Sequence, residues 1–325
     1  MSAKTGVGLS VLSSCLFALL YYYATVLQPL SGEQVFAWRI VLGLPALALI
    51  ITRGRAWREV RDIASRLRRE RMLWLAMPAS AALIGVQLWL FVWAPLHQKA
   101  LDVSMGYFLL PIAMVLVGRL VYGERLTRMQ QAAVYVALLG VAHELLRTGA
   151  FSWATALVVL GYPPYFVLRR YLKMGSLGVL WSDMLLLTPA AFFILLSAAG
   201  GQMNGFAQLL AYPRLFVLVP VLALISSAAL AAYLSASRML PLGLFGLLGY
   251  VEPVLLFWVA CLLLGEPVEP KAWLTYVPIW IAVMLVAAEG GGKWLRDRRQ
   301  RGIQGGSDTG AAVVPSDRDD GNLQG

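Results

Sequence analysis

Ten long apolar runs constrain the fold of this chain more than any single motif does. A bilayer core of about 30 Å is crossed by a helix of roughly 20 apolar residues. With 59% hydrophobic residues and a mean hydropathy of +0.71, the chain is more apolar than a soluble protein of its length. The runs lie at 6–27, 34–52, 72–95, 101–121, 128–146, 151–171, 178–199, 215–236, 242–264 and 272–290. We therefore expect an all-α, polytopic membrane protein with ten transmembrane helices.

One apolar segment of the chain occurs twice. Ser104–Glu124 has Gly-Tyr near its start, a proline in the middle and Gly-Glu at its end, and Leu247–Glu266 has the same layout. The proline and the closing Gly-Glu pair recur at an offset of 142 positions. The pattern predicts a first five-helix repeat at 1–146 and a second at 147–290.

The number of spans in each repeat sets the relative orientation of the two copies. Five is odd, so the second copy starts on the opposite side of the membrane and runs antiparallel to the first. Inverted repeats are typical of transporters, whose binding site lies near the bilayer midplane between the halves.

Basic residues in the loops predict which side is cytoplasmic. With the N-terminus inside, the inner segments carry 20 Lys and Arg residues and the outer loops carry four. Lys and Arg accumulate in cytoplasmic loops, so both termini are expected inside. The net charge of +10 then needs no nucleic-acid partner. The remaining stretch, 291–325, is rich in Gly, Ser and Asp without apolar periodicity, which predicts a disordered cytoplasmic tail.

Two charged residues fall inside predicted spans at matching positions. Arg39 precedes Pro45 by six residues, and Asp183 precedes Pro189 by six. A charge at the centre of a membrane helix costs about 2.5 to 3.5 kcal/mol on insertion scales. We expect both side chains to line a cavity, with Asp183 also a candidate for proton coupling; the alternative is that each reaches the nearer interface.

Glu252 lies near the middle of the ninth predicted span. An acidic residue at that depth is a functional candidate by default, because it could carry a proton or face a cationic ligand. The alternative is a neutral glutamic acid bonded to a backbone carbonyl.

Glycines and prolines mark predicted breaks in the fourth and ninth spans. Backbone groups freed by such breaks need protein or cavity water as partners, and paired breaks in the two halves point to the binding site. The predicted break positions are Gly106, Pro111, Gly249 and Pro253. Tyr107 and Tyr250 follow two of these glycines and would offer a ring and a hydroxyl there. The same glycines could instead serve only close helix packing.

Three other polar features of the sequence could contribute to a site. Gln87 and Trp89 in the third span suit a pocket for a partly apolar ligand, although Gln87 could equally bridge two helices. The loop at 53–71 alternates arginines with apolar residues at helical spacing, which suits a helix on anionic headgroups or a solvated loop. The pair His143-Glu144 lacks the second histidine of a helical zinc motif. No motif for a metal or cofactor is present, so none is predicted.

Several ordered motifs resemble the RarD branch of EamA-type transporters, in the drug/metabolite transporter superfamily. They are Trp89 to Ala94, Ser104 to Phe108 with Pro111, and Gly123-Glu124-Arg125 with Gln130. The resemblance implies a ten-helix carrier of the bacterial inner membrane that moves small organic solutes or drugs. By position it adds Ser104 to the substrate-binding candidates. The chain departs from the family pattern at Ala24-Thr25 and at Glu252.

These observations favour a secondary transporter, not an enzyme, that works by alternating access. We expect the ligand to contact Arg39, Tyr107, Tyr250 and Glu252. Coupling to protons through Glu252 or Asp183 is a further hypothesis. The expected partners are a small-molecule substrate and membrane lipids. Two alternatives remain: a polytopic enzyme or flippase for lipid-linked substrates, and a membrane scaffold or receptor without flux of its own.

Overall fold

The structure, a computed structural model, describes residues 3–53, 57–123, 125–148, 151–172, 176–198, 203–240, 245, 248–285 and 288. Within those ranges the chain is helical and contains no β-strand. The predicted tail at 291–325, together with Glu124, lies outside the described residues. The helices of the first half are α1 (Ala3–Val26), α2 (Gly32–Arg53), α3 (Trp57–Arg69), α4 (Leu73–Trp93), α5 (Ala100–Tyr122) and α6 (Arg128–Thr148).

The second half begins with α7. Its helices are α7 (Trp153–Leu172), α8 (Ser176–Leu196), α9 (Gly205–Ala211), α10 (Leu215–Met239) and α11 (Val251–Trp258), followed by α12 (Pro270–Leu285). A turn at residues 249–250 precedes α11, and a π-helical turn, Val259–Leu263, follows it. The ninth predicted span is therefore not one uninterrupted α-helix.

Six of the described helices are long and apolar enough to cross a membrane. They are Thr5–Val26, Gly32–Arg53, Leu73–His97, Ala100–Tyr122, Leu177–Leu196 and Leu215–Tyr233. This confirms the prediction of an all-helical, multi-pass membrane protein. The ends of these helices lie within a few residues of the predicted spans.

Prolines inside the long helices do not end them. α5 continues through Pro111, and α7 continues through Pro163 and Pro164. Neighbouring helices and local adjustments satisfy the backbone groups that a proline frees within a membrane. The repeated Gly-Glu ends do stop their helices, because Gly123 and Gly265 adopt φ values of +66° and +67°, a left-handed conformation that glycine adopts without strain.

Most helix contacts join the two predicted halves. α2 packs on α8, and α5 packs on α11. Six further helix pairs between the halves form three matched sets: α1 with α10 and α4 with α7, α5 with α7 and α1 with α11, and α2 with α10 and α4 with α8. In the two predicted repeats α1 corresponds to α7, α2 to α8, α4 to α10 and α5 to α11. When every helix is replaced by its counterpart, one helix pair of each set becomes the other pair.

Two short helices lie outside the long ones at corresponding places. α3 follows α2 and packs on α8, and α9 follows α8 and packs on it. Trp57 meets Trp181 of α8 at 5.5 Å between ring centroids, and Phe206 of α9 meets Trp38 of α2 at 5.1 Å. Both ring pairs are T-shaped at 73°. The helix at α3 is one of the two alternatives that the sequence left open for 53–71, whereas no sequence pattern indicated α9.

Candidate functional site

A cavity of about 810 Å³ lies among the long helices. Its walls come from α1, α2, α4, α5, α7, α8, α10 and α11, and thus from both predicted halves. Four of the predicted binding residues line it, namely Arg39, Tyr107, Tyr250 and Glu252. The remaining walls are mainly apolar and aromatic, as is usual for sites that bind small molecules.

Arg39 is the buried cation of this cavity. The residue is only 6% exposed. Its Nε donates a hydrogen bond to Ser226 Oγ at 3.0 Å, and its guanidinium carbon lies 5.6 Å from the centroid of the Phe91 ring. No described residue accepts a hydrogen bond from its Nη1. A buried guanidinium with spare donors favours an anionic group, which it can bind through two parallel hydrogen bonds.

Glu252 supplies an acidic group to the same cavity. It lies in the first turn of α11, immediately after the turn at Gly249–Tyr250, and a carboxylate is favoured at the positive end of a helix. Among the described residues, no ion pair within 4.0 Å joins it to Arg39. The cavity therefore holds an acid and a base that do not neutralise each other by direct contact.

Tyrosines form the polar part of the aromatic wall. The hydroxyls of Tyr107 and Tyr162 share a hydrogen bond of 2.9 Å, with ring centroids 5.8 Å apart. Tyr107 also meets Phe91 edge-on at 6.2 Å, and Tyr250 lines another part of the cavity. These rings offer a solute large apolar surfaces together with hydroxyl groups.

Sequence reasoning missed six polar residues of the cavity. Tyr162 lines it from α7, Ser226 and Tyr233 line it from α10, and three serines of α1, at positions 10, 13 and 14, line it from the first helix. The serine spacing of three and four residues places them on one helix face, which was a readable signal. Nothing in the sequence singles out Ser226 from the other serines of its helix.

The other predicted binding residues do not line the cavity. Gln87 Nε2 donates to the Leu157 carbonyl at 2.9 Å, which bridges α4 and α7. Trp89 stacks on Trp153 at 6.5 Å between centroids. Ser104 Oγ donates to the Pro253 carbonyl at 3.4 Å, which joins α5 to α11. Each of these side chains connects helices.

Asp183 is completely buried outside the cavity lining. Its Oδ2 accepts a hydrogen bond from Ser80 Oγ at 3.2 Å, and its Oδ1 has no hydrogen-bond partner among the described residues. Arg39 and Asp183 form no ion pair with each other, as far as the described residues show. The two matching charges of the sequence therefore have different surroundings.

The predicted break positions also differ from one another. α5 runs without interruption through Gly106 and Pro111. A Cβ at Gly106 would lie 2.7 Å from Val158 Cβ, so this glycine permits close contact between α5 and α7. Gly249 lies in the turn before α11, and Pro253 lies within α11. Pro111, Gly249 and Pro253 all line the cavity.

A second, polar cavity of about 240 Å³ lies near the start of α5 and the end of α6. Glu266 lines it and is 9% exposed. Its two carboxylate oxygens accept hydrogen bonds from the backbone N–H groups of Ala100 and Leu101, at 2.7 and 2.8 Å. A carboxylate from the second half thus accepts hydrogen bonds from backbone N–H groups in the first turn of α5, which have no partner within their own helix.

Residues near the end of α6 form a polar network with α12. Thr275 Oγ1 donates to Glu144 Oε2 at 2.8 Å and lies 2.9 Å from His143 Nδ1. Arg147 pairs with Glu144 at 2.7 Å and with Glu269 at 2.5 Å. Among the described residues, no three His, Cys, Asp or Glu side chains form a group that could hold a metal ion. The network joins the last helices of the two halves.

Comparison with known proteins gives full-length relatives. The chain is 46% identical over 298 residues to the chloramphenicol-sensitive protein RarD of Pseudomonas aeruginosa, covering 92% of this chain and 98% of that protein. It is 37% identical to an uncharacterized transporter of Pasteurella multocida, covering 88% and 96% of the two chains. A protein RarD of Streptomyces exfoliatus is 28% identical and covers 83% of this chain and 84% of that protein. No family profile matches the chain.

Comparison of structures supports a shared fold. One crystal structure of a protein aligns with 89% of this chain and 98% of its own, with a TM-score of 0.53 and 17% identity. That similarity concerns the fold alone. The sequence relatives, two of them more than 30% identical over nearly their whole length, decide the family: the chain belongs to the RarD-type group of the EamA family, within the drug/metabolite transporter superfamily.

Proposed function

We propose that this protein is a secondary transporter that moves a small organic solute across the bacterial inner membrane by alternating access. The solute is a metabolite, an amino-acid-like compound or a drug, and it binds in the cavity that contains Arg39 and Glu252. The single observation that carries the proposal is this cavity, which lies between helices of both halves. It holds a buried guanidinium whose Nη1 has no hydrogen-bond partner among the described residues. The transporter names of the relatives support it.

The architecture in the proposal is ten transmembrane helices in two inverted repeats, 1–146 and 147–290. Three features support it: the recurring segment, the matched helix contacts across the halves, and the nearly equal φ values of Gly123 and Gly265. Alternating access would then consist of one repeat rocking against the other around the cavity. Both termini are placed in the cytoplasm because of the basic inner loops.

Ligand binding can be tested before transport is measured. The detergent-solubilised protein is heated with a panel of amino acids, organic acids and chloramphenicol, since a bound ligand raises the melting temperature by mass action. Any compound that binds is then tested with Arg39→Gln. Loss of a hydrogen bond from a charged donor costs roughly 1.5 to 3 kcal/mol, a weakening of about 10- to 150-fold for an anionic ligand.

A matched control for that variant is Lys271→Gln. Lys271 is exposed and lies in the turn at the start of α12, away from the cavity. It should leave ligand affinity unchanged. If Arg39→Gln binds the ligand as tightly as the wild type, the cavity is not the binding site.

Transport itself is measured in proteoliposomes loaded with the identified solute. Saturable uptake that depends on the protein supports the proposal, whereas chemical turnover of the compound would indicate an enzyme. Proton coupling through Glu252 or Asp183 is part of the proposal. If uptake does not depend on a pH gradient, and Glu252→Gln and Asp183→Asn are fully active, the transport is not coupled to protons through these residues.

A further inference from the structure

We propose that the outward face of α3 is a binding surface for anionic phospholipid headgroups. The surface consists of Arg58, Arg61, Arg68 and Arg69, and we call it the α3 basic face. Transport of a solute does not require such a surface, so the inference goes beyond the proposed function. It depends only on the membrane location of the chain and on the contacts of α3.

The opposite face of α3 is held firmly by the protein. Ile63 is 6% exposed and belongs to an apolar cluster with residues of α4, α7 and α8. Glu59 Oε2 accepts a hydrogen bond from the Gly178 N–H in the first turn of α8, at 3.0 Å. Arg66 Nη1 donates to the Leu172 carbonyl, the last residue of α7, at 2.8 Å. The orientation of α3 is therefore determined by its partners.

This orientation leaves the α3 basic face directed away from the protein. Arg58, Arg61, Arg68 and Arg69 are all exposed. None of them forms a hydrogen bond or ion pair with the described residues. At 100° per residue their side chains fall within an arc of about 100°. Asp62 lies about 20° outside this arc, next to Arg69, so the face together with this edge carries a net charge of about +3.

The neighbouring helix places this face at the membrane boundary. α4 begins at Leu73 and is apolar enough to span a bilayer. In its first turn Trp74 is 67% exposed and Leu75 is 79% exposed, as expected for side chains in contact with lipid. α3 ends four residues before Leu73. Trp74 Nε1 donates a hydrogen bond to the Leu67 carbonyl of α3 at 3.0 Å. α3 therefore lies beside the lipid-facing start of α4 and, in this proposal, at the level of the headgroups.

The chemistry of the face selects phosphate. Arginine presents planar donors that bind a phosphate through two hydrogen bonds. A basic residue near an anionic membrane surface contributes a factor of about five in affinity. Three arginines together then contribute a factor on the order of 100.

The test titrates phosphatidylglycerol or phosphatidylcholine into the full-length protein in a non-ionic detergent, with the melting temperature as the readout. We expect phosphatidylglycerol to stabilise the wild type at much lower concentrations than phosphatidylcholine, and 0.5 M salt to reduce the difference by screening. The variant with Arg61, Arg68 and Arg69 changed to Gln should need roughly 100 times more phosphatidylglycerol for half of the effect.

A matched control replaces the same three arginines by Lys, which keeps the charge at the same positions. This control should retain most of the preference for phosphatidylglycerol. Both variants should melt like the wild type without added lipid, because the replaced side chains have no partners in the described part of the protein. Equal responses of the wild type and the Gln variant, or equal effects of the two lipids on the wild type, would overturn the proposal.

Discussion

Glu266 offers the sharpest test of how the two halves are held together. Its carboxylate accepts hydrogen bonds from the backbone N–H groups of Ala100 and Leu101, and the residue is 9% exposed. Glu266→Gln keeps one acceptor oxygen but places an NH₂ group against the second backbone donor. A free donor left buried costs about 1 to 3 kcal/mol, and loss of the charge at the helix terminus costs about 0.3 to 1 kcal/mol.

Glu266→Gln is therefore expected to lower the free energy of unfolding by about 1.3 to 4 kcal/mol. Glu266→Ala removes both acceptors and should cost more, on the order of 2 to 7 kcal/mol. The measurement is thermal or SDS-induced unfolding of the purified protein in detergent micelles, followed by tryptophan fluorescence. Both variants should unfold earlier than the wild type, with Ala earlier than Gln.

Glu269→Gln is the matched control, because the same change is made three residues further along the chain. The Glu269 side chain is 69% exposed and pairs with Arg147 at the surface. An exposed ion pair contributes about 0.2 to 1 kcal/mol, so this variant should stay close to the wild type. If the two Gln variants are equally stable, the Glu266 carboxylate does not hold the start of α5 and the reasoning is refuted.

Two further predictions concern the packing of the helices. Gly106→Ala should cost about 1 to 3 kcal/mol, because the new Cβ would lie 2.7 Å from Val158 Cβ; Gly8→Ala, with open space around it, should be neutral or stabilising in the same melting experiment. Thr275→Val should lower stability by about 1 to 3 kcal/mol, because the buried hydroxyl that donates to Glu144 is lost. If Gly106→Ala leaves the melting temperature unchanged, the close approach of α5 to α7 at Val158 is not formed. If Thr275→Val leaves it unchanged, the hydrogen bond from Thr275 to Glu144 is not formed.

The membrane helices could be predicted from the sequence because partitioning into lipid depends on local composition. The described helices end within a few residues of the predicted spans, since each run must be long enough to cross the hydrocarbon. The repeat was equally visible, and both of its closing glycines take the left-handed conformation that ends a helix. These features depend on short segments and need no knowledge of their neighbours.

Whether each polar side chain points into the cavity or towards a neighbouring helix could not be predicted in the same way. Arg39 and Asp183 occupy matching places in two helices that pack on each other, yet Arg39 lines the cavity and Asp183 is buried against Ser80 outside it. Helices that are apolar on every side carry no periodicity to show which face points inward. Ser226, which holds the Arg39 side chain, comes from a helix 187 positions away in the chain.

The sequence by itself determined that this protein is a helical membrane protein with a repeated unit, because apolar length and recurring motifs are properties of the chain alone. The tertiary structure decided that Arg39, Tyr107, Tyr250 and Glu252 share one cavity, whereas Gln87, Trp89 and Ser104 connect helices. The physical reason is that a buried polar group needs a partner. Which group becomes that partner is determined only when helices distant in sequence pack together.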